Sequence, residues 1–90
     1  MIGIAARFGE NLARCRKRAN LSQEELSVRA SLHRTEISHL ERGLRLPRVD
    51  TLVKLVGSLE ISADELLDGL AWTPGEMTYG RFHLAVEDEP

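Results

Sequence analysis

Apolar residues recur every three or four positions along the first two thirds of the chain, the spacing that places side chains on one face of a helix. The first such stripe consists of Phe8, Leu12, Cys15 and Ala19. It predicts an amphipathic helix from about Ala5 to Arg18. Asn20 follows and is suited to the left-handed backbone conformation that ends many helices.

Capping signals divide the next segment into two short helices. Ser22 and Glu25 have the spacing of a capping box, so a second helix is expected over residues 23–30. A third is expected over residues 34–42, where Gly43 follows at a position that favours a left-handed residue. The residues expected to face the core are Leu26, Ala30, Ile37 and Leu40.

Two more helices are predicted before residue 70. Pro47 prevents the third helix from continuing, and a fourth is expected over residues 49–57. Ser62 and Glu65 repeat the capping-box spacing, which predicts a fifth helix that ends near Gly69. The apolar stripe expected on the fourth helix consists of Val49, Leu52, Val53 and Val56.

The last part of the chain changes from helical spacing to alternation. After an expected turn at "WTPGE", apolar and polar residues alternate from Arg81 to Glu87, which predicts one β-strand. The predicted fold is therefore all-α, with five helices in residues 1–69. Residues 70–90 form an extension with a turn, one short strand and an acidic end.

Charge is divided unevenly along the 90 residues, although the net charge is only −2. Residues 1–57 contain eleven Lys and Arg against six Asp and Glu, whereas residues 58–90 contain one Arg against eight Asp and Glu. This division suggests a basic working surface and an acidic appendage. Segregation of surface charge without a function is the alternative.

Cysteine and histidine give no sign of a metal site or of catalysis. Cys15, His33, His39 and His83 do not have the spacing of a metal motif, so we expect no metal, no cofactor and no enzymatic activity. Cys15 lies on an apolar stripe, where packing is its expected role. One cysteine allows no internal disulfide, and no apolar stretch is long enough for a membrane span or a signal peptide, so the expected location is the cytoplasm.

The predicted third helix carries many hydrogen-bond donors. At 100° per residue, its apolar anchors Ile37 and Leu40 lie together, and Glu36 and Glu41 lie at the edges of the opposite face. That opposite face carries Arg34, Thr35, Ser38, His39 and Arg42. Such donors suit phosphates and the acceptor edges of purines in a DNA major groove. A solvated helix face with no ligand is the alternative.

The segment "LSQEELSVRASLHRTEISHLERGLRLPRVDTLVKL" resembles the helix-turn-helix of the phage repressor and Cro family, also called xenobiotic-response-element-type regulators. The resemblance covers about residues 6–69. It is carried by residues at the family's spacing: Gln23, Glu24, Leu26, Ser27, Ala30, Leu32, Ile37, Ser38, Leu40, Glu41, Arg42, Gly43, Pro47, Thr51 and Leu52. Three positions depart from the family pattern, since Ser31 replaces a common glycine, and His33 and Arg48 replace serine caps.

The resemblance implies that the third helix lies in the major groove and that the chain is a sequence-specific DNA-binding regulator. It places the base-reading residues at Arg34, Thr35 and His39. It places the contacts to the DNA backbone at Gln23, His33, Ser38, Arg42, Arg45 and Arg48. It also implies that Glu41 pairs with Arg16. The alternative function is an antitoxin-like or adaptor module that binds a protein partner through its acidic C-terminal part.

We further expect a homodimer, because regulators of this kind place two recognition helices about one helical turn of DNA apart. The predicted strand has no evident partner strand in the chain, so pairing with the same strand of a second copy would satisfy its backbone groups. The residues expected at this interface are Leu70, Trp72, Phe82, Leu84 and Val86. The alternative is that the tail folds back over its own helices.

Overall fold

Five helices and a two-stranded antiparallel sheet make up residues 3–75 and 80–85, the part of the chain described by the computed structural model. The elements are α1 (Ile4–Arg18), α2 (Gln23–Ala30), α3 (Arg34–Glu41), α4 (Val49–Leu59), α5 (Ala63–Leu66), β1 (Leu70–Thr73) and β2 (Arg81–Leu84). The predicted helices are confirmed in number and order. None of the described helices is long and apolar enough to cross a membrane.

All five helices contribute to one apolar core. Its buried residues are Phe8, Leu12, Cys15, Leu26, Ala30, Ile37, Leu40, Leu55, Leu59 and Leu66. This confirms the inward residues predicted for α2 and α3, and those predicted for α1 except Ala19, which is exposed. Burial raises the pKa of the Cys15 thiol, so Cys15 is an uncharged packing residue at neutral pH.

The predicted buried stripe of α4 was wrong in part. Val49 and Val53 are 76% and 63% exposed, whereas the helix buries Thr51, Leu55 and Leu59. The apolar residues of α4 cover a wider arc than the face that is buried, so their spacing alone did not determine which face is buried. Packing against α2 and α5 selects the face centred on Leu55.

The helix ends follow the capping predictions unevenly. The Ser22 hydroxyl accepts from the Glu25 amide at 3.0 Å and the Glu25 carboxylate accepts from the Ser22 amide at 2.8 Å, which confirms the first capping box. The second box was wrong, because Ser62 makes no side-chain cap bond and Glu65 instead pairs with Arg18 of α1. Accordingly, α5 is a single turn that ends at Leu66, before Gly69.

The C-terminal strand has a partner within the chain, which corrects the expectation of an unpaired strand. β1 and β2 pair antiparallel with Leu70 opposite Leu84 and Trp72 opposite Phe82. The predicted start of the turn at "WTPGE" was wrong, because Trp72 and Thr73 belong to β1 and pair with Phe82 and Arg81 of β2. The predicted interface residue Val86 and the acidic end of the chain lie outside the described residues.

Close packing between α1 and α3 fixes the distance between these helices. A Cβ atom on Gly9 would lie 2.5 Å from the carbonyl oxygens of Leu40 and Glu41. Gly43, which ends α3 with a φ of 73°, has the backbone of Ala6 2.8 Å from the position of a Cβ atom. Glycine at both positions therefore allows the C-terminal end of α3 to lie directly on α1.

A nearly buried ion pair joins the same two helices. Arg16 donates to Glu41 through Nε at 2.5 Å and through Nη2 at 3.0 Å, and their side chains are only 12% and 8% exposed. Arg16 Nη1 also donates to the carbonyl of Leu21 at 2.8 Å, and the hydrogen bond to Glu41 raises the pKa of Arg16 further. The pair that the family resemblance implied is thus present, and it ties α1 to the end of α3.

Replacement of Gly9 by alanine is expected to destabilise the fold by roughly 1–3 kcal/mol, because the added methyl group would force α3 away from α1. The matched control is Gly57→Ala, because Gly57 lies in α4 and a Cβ atom there would meet nothing within 4 Å. This substitution should stabilise the fold by roughly 0.5–1 kcal/mol. Urea unfolding followed by circular dichroism measures both changes. Equal midpoints for the two variants would contradict the close packing of α1 and α3.

Replacement of Glu41 by alanine is expected to lower the free energy of unfolding by roughly 3 kcal/mol, because Arg16 would keep its charge in a nearly buried position. The control is Glu65→Ala, which removes the exposed Arg18–Glu65 pair and should change stability little. The same urea experiment measures both variants. Similar losses in the two would show that the Arg16–Glu41 pair has no special role.

Candidate nucleic-acid interface

α2 and α3 form a bihelical unit joined by a tight turn. Ser31 ends α2 in the left-handed conformation with φ 55°, which a non-glycine residue adopts at a cost of roughly 1–2 kcal/mol. The amide of Leu32 then donates to the carbonyl of Ser27 at 2.9 Å and closes the turn. The chain therefore makes the turn without the usual glycine, and α3 begins at Arg34 as predicted.

α3 presents its polar face away from the core. Ile37 and Leu40 are fully buried, whereas Arg34 and Thr35 are exposed at the start of the helix. Ser38 and His39 are half-buried, and Arg42, which caps the helix, is exposed. The predicted division of α3 into an anchoring face and a donor face is confirmed. The roles of individual donors remain predictions.

A groove of about 880 Å³ lies between α3, the loop that follows it and the start of α4. The predicted contact residues that line it are His33, Thr35, His39, Arg45 and Arg48. The other predicted contact residues do not line this groove; they are Gln23, Arg34, Ser38 and Arg42. The predicted site is thus a surface that extends from the groove over the outer face of α3.

Gln23 lies at the start of α2, where its side chain has a fixed partner. Its Nε2 donates to Glu41 Oε1 at 3.0 Å, so the Arg16–Glu41 pair also orients this amide. A side-chain amide nitrogen carries two hydrogens, and one bond to Glu41 leaves the second for another acceptor. The arrangement is compatible with the phosphate contact predicted for Gln23.

Two of the arginines predicted to contact DNA have acidic partners in the free protein. Arg45 pairs with Glu36 of α3, and Arg48 pairs with Asp50 at 3.2 Å. Both arginines are more than half exposed, so these pairs add little stability and do not compete strongly with a phosphate. Neither pair was predicted. For Arg45, the path of the loop that brings it to Glu36 has no signal in the sequence.

Neither α3 nor α4 has a side-chain cap. His33 and Arg48 occupy the capping positions without a capping hydrogen bond, as their departure from serine led us to expect. The first amides of each helix therefore have no side-chain acceptor from the capping residue. His33 and Arg48 both line the groove described above, at the starts of α3 and α4.

The hairpin carries a second surface of different character. Leu70, Trp72, Phe82 and Leu84 share one face of the sheet, and the Trp72 and Phe82 rings meet edge to face with centroids 4.9 Å apart. These two rings are 53% and 65% exposed. With Leu46, Pro47, Leu52 and Leu67 they border an apolar groove of about 350 Å³. The residues predicted for dimerisation, Val86 aside, therefore form one apolar surface.

Comparison with known proteins places this bihelical unit in a family. The helix-turn-helix family matches residues 12–66. An uncharacterized HTH-type transcriptional regulator from Sinorhizobium fredii is 41% identical over 66 residues, which cover 73% of this chain and 86% of the relative.

Solved structures agree with this assignment. The restriction-modification controller protein C.AhdI from Aeromonas hydrophila superposes with a TM-score of 0.67 at 34% identity, over 69% of this chain and 94% of that one. SinR, a master regulator for biofilm formation solved in complex with DNA, superposes with a TM-score of 0.65 at 31% identity, over 68% and 98% of the two chains. The match to the family spans more than half of the chain, so this protein belongs to the helix-turn-helix family of transcriptional regulators.

Proposed function

We propose that this protein is a sequence-specific DNA-binding transcription regulator that reads operator half-sites with α3 in the major groove. The observation that carries the proposal is the outward face of α3, where exposed donors stand opposite the buried anchors Ile37 and Leu40. A helix that docks a protein would carry apolar anchors on that face, and α3 carries none there. We infer no catalytic role and no cofactor for the protein, and we propose that it acts in the cytoplasm, where its DNA lies.

The donors divide into two groups by chemistry. Arg34, Thr35 and His39 are proposed to reach base edges, since a guanidinium can bind guanine O6 and N7 together. The residues proposed to contact phosphates are Gln23, His33, Ser38, Arg42, Arg45 and Arg48. These backbone contacts set the register of α3 on the duplex and carry no sequence information themselves.

Arg34→Ala tests the base-reading role. On the operator selected from random duplexes the variant should lose roughly 1–3 kcal/mol of binding free energy, while its affinity for unrelated DNA should change much less. The matched control is Arg29→Ala, because Arg29 lies on α2 and reaches the carbonyl of Ser58 near the opposite end of α4 from the groove. Fluorescence anisotropy at constant salt measures both. Equal losses on cognate and unrelated DNA would remove Arg34 from the base-reading set.

We also propose that the protein acts as a homodimer that buries the apolar face of the hairpin. The pairing of β1 with β2 weakens the argument for a strand shared between two copies, because one edge of β2 is already paired within the chain. The exposed Trp72 and Phe82 rings beside an apolar groove supply a different argument for a dimer. Packing these rings against a second copy would remove apolar area from water. A two-fold dimer would also present two copies of α3 to two half-sites.

Phe82→Glu should convert the dimer to a monomer, because a carboxylate at this position would be buried without a partner. The control is Arg81→Glu, which adds a carboxylate to the opposite face of the same strand. Sedimentation equilibrium measures the mass of each variant, and circular dichroism checks that both remain folded. A wild-type monomer, or a Phe82→Glu variant that stays dimeric, would contradict assembly through this surface.

A further inference from the structure

Glu36 is an acidic residue of α3 that belongs neither to the proposed base-reading residues nor to the proposed phosphate contacts. Of the two acidic residues at the edges of the donor face, Glu41 is held by Arg16, whereas Glu36 lines the groove together with Thr35 and His39. Its side chain is 25% exposed. If α3 lies in a major groove, this carboxylate lies beside two residues that are proposed to read bases.

The groove contains a second carboxylate, that of Asp50, which lies in the first turn of α4. Asp50 accepts from the amide of Thr51 at 2.9 Å and pairs with Arg48, so it serves the start of α4. Glu36 accepts from Arg45 through Oε1. Each carboxylate therefore has an arginine partner, but only Glu36 is on the helix proposed to read DNA.

Stabilisation of the fold does not account for Glu36. An ion pair whose arginine is 53% exposed contributes little to stability. A carboxylate that faces phosphates is repelled by them and weakens binding to every DNA sequence, unless the DNA offers it a hydrogen-bond donor. Cytosine N4 and adenine N6 are the amino groups in the major groove. Adenine also presents the acceptor N7 beside its amino group, which would repel a carboxylate, and guanine presents only the acceptors O6 and N7, so cytosine is the base that fits a carboxylate best.

We propose that Glu36 is a specificity-determining residue whose carboxylate accepts a hydrogen bond from the amino group of a cytosine in the major groove. Arg45 bonds to Oε1, so Oε2 is the oxygen assigned to the base, and Arg45 orients the carboxylate while its other donors reach a phosphate. Guanine or thymine at the same position would set an acceptor against the carboxylate. The inference rests on the proposed placement of α3 in the major groove.

Glu36→Gln tests this role, because glutamine keeps the size of the side chain and adds a donor. Sites selected from random duplexes by the wild-type protein should contain one position where cytosine is preferred over guanine by roughly 5- to 150-fold. In sites selected by Glu36→Gln, that position should change to adenine, whose N6 and N7 match a side-chain amide. Glu36→Ala should lose the preference there and bind unrelated DNA at least as tightly as the wild type.

Asp50→Asn is the matched control, since it neutralises the other carboxylate of the groove and should leave every base preference unchanged. If Glu36→Gln selects the same sites as the wild type and changes affinity by one factor on all DNA, Glu36 only positions Arg45 and the inference is overturned. If the wild-type protein selects no sequence at all, the proposed function fails and the inference fails with it. Circular dichroism of each variant confirms that the fold is kept.

Discussion

The ion pair between Arg16 and Glu41 holds together the parts of the molecule that a DNA-binding surface requires. Glu41 is the last residue of α3, Arg16 lies near the end of α1, and Gln23 at the start of α2 shares the same carboxylate. Because the pair is nearly buried, movement of any one helix would leave a charge or an amide without a partner in a place that water hardly reaches. The Glu41 carboxylate therefore fixes α1, α2 and α3 relative to one another, and the polar face of α3 is held in a defined position.

Close backbone packing between α1 and α3 supports the Arg16–Glu41 ion pair. Gly9 and Gly43 let α1 and α3 approach until backbone touches backbone, and the two contacts lie next to Glu41. A bidentate arginine pair requires a narrow range of distances, which this packing sets. The core residues Ile37 and Leu40 then orient α3 about its own axis, so that Arg34 and Thr35 face outward.

The sequence predicted the helical part of the fold well, because each helix carried a local signal. The Ser22–Glu25 capping box, the buried pair Ile37 and Leu40, and the stop at Gly43 all depend on neighbours within a few residues. Predictions failed where the outcome depended on distant parts of the chain. The buried face of α4 is chosen by α2 and α5, Glu65 is taken from its capping box by Arg18, and β1 exists only because β2 returns to it.

The candidate site shows the same division. The donor face of α3 follows from helical geometry and was predicted, whereas the pairing of Arg45 with Glu36 depends on the path of a loop and was not. Phe82 and Leu84 were placed on one face of a strand from their alternation, whereas the strand that pairs with theirs within the chain was not predicted. Side-chain chemistry within one element can be read from the sequence, whereas contacts between elements required the structure, apart from the Arg16–Glu41 pair that the family resemblance implied.

Dimethyl sulfate footprinting tests the central claim most directly, because the reagent methylates guanine at N7 in the major groove and adenine at N3 in the minor groove. If α3 reads half-sites in the major groove, guanine N7 should be protected within each bound half-site, and Arg34→Ala should lose protection at one guanine. Protection confined to adenine N3, or full reactivity of every guanine N7 in a site that the protein occupies, would contradict the account.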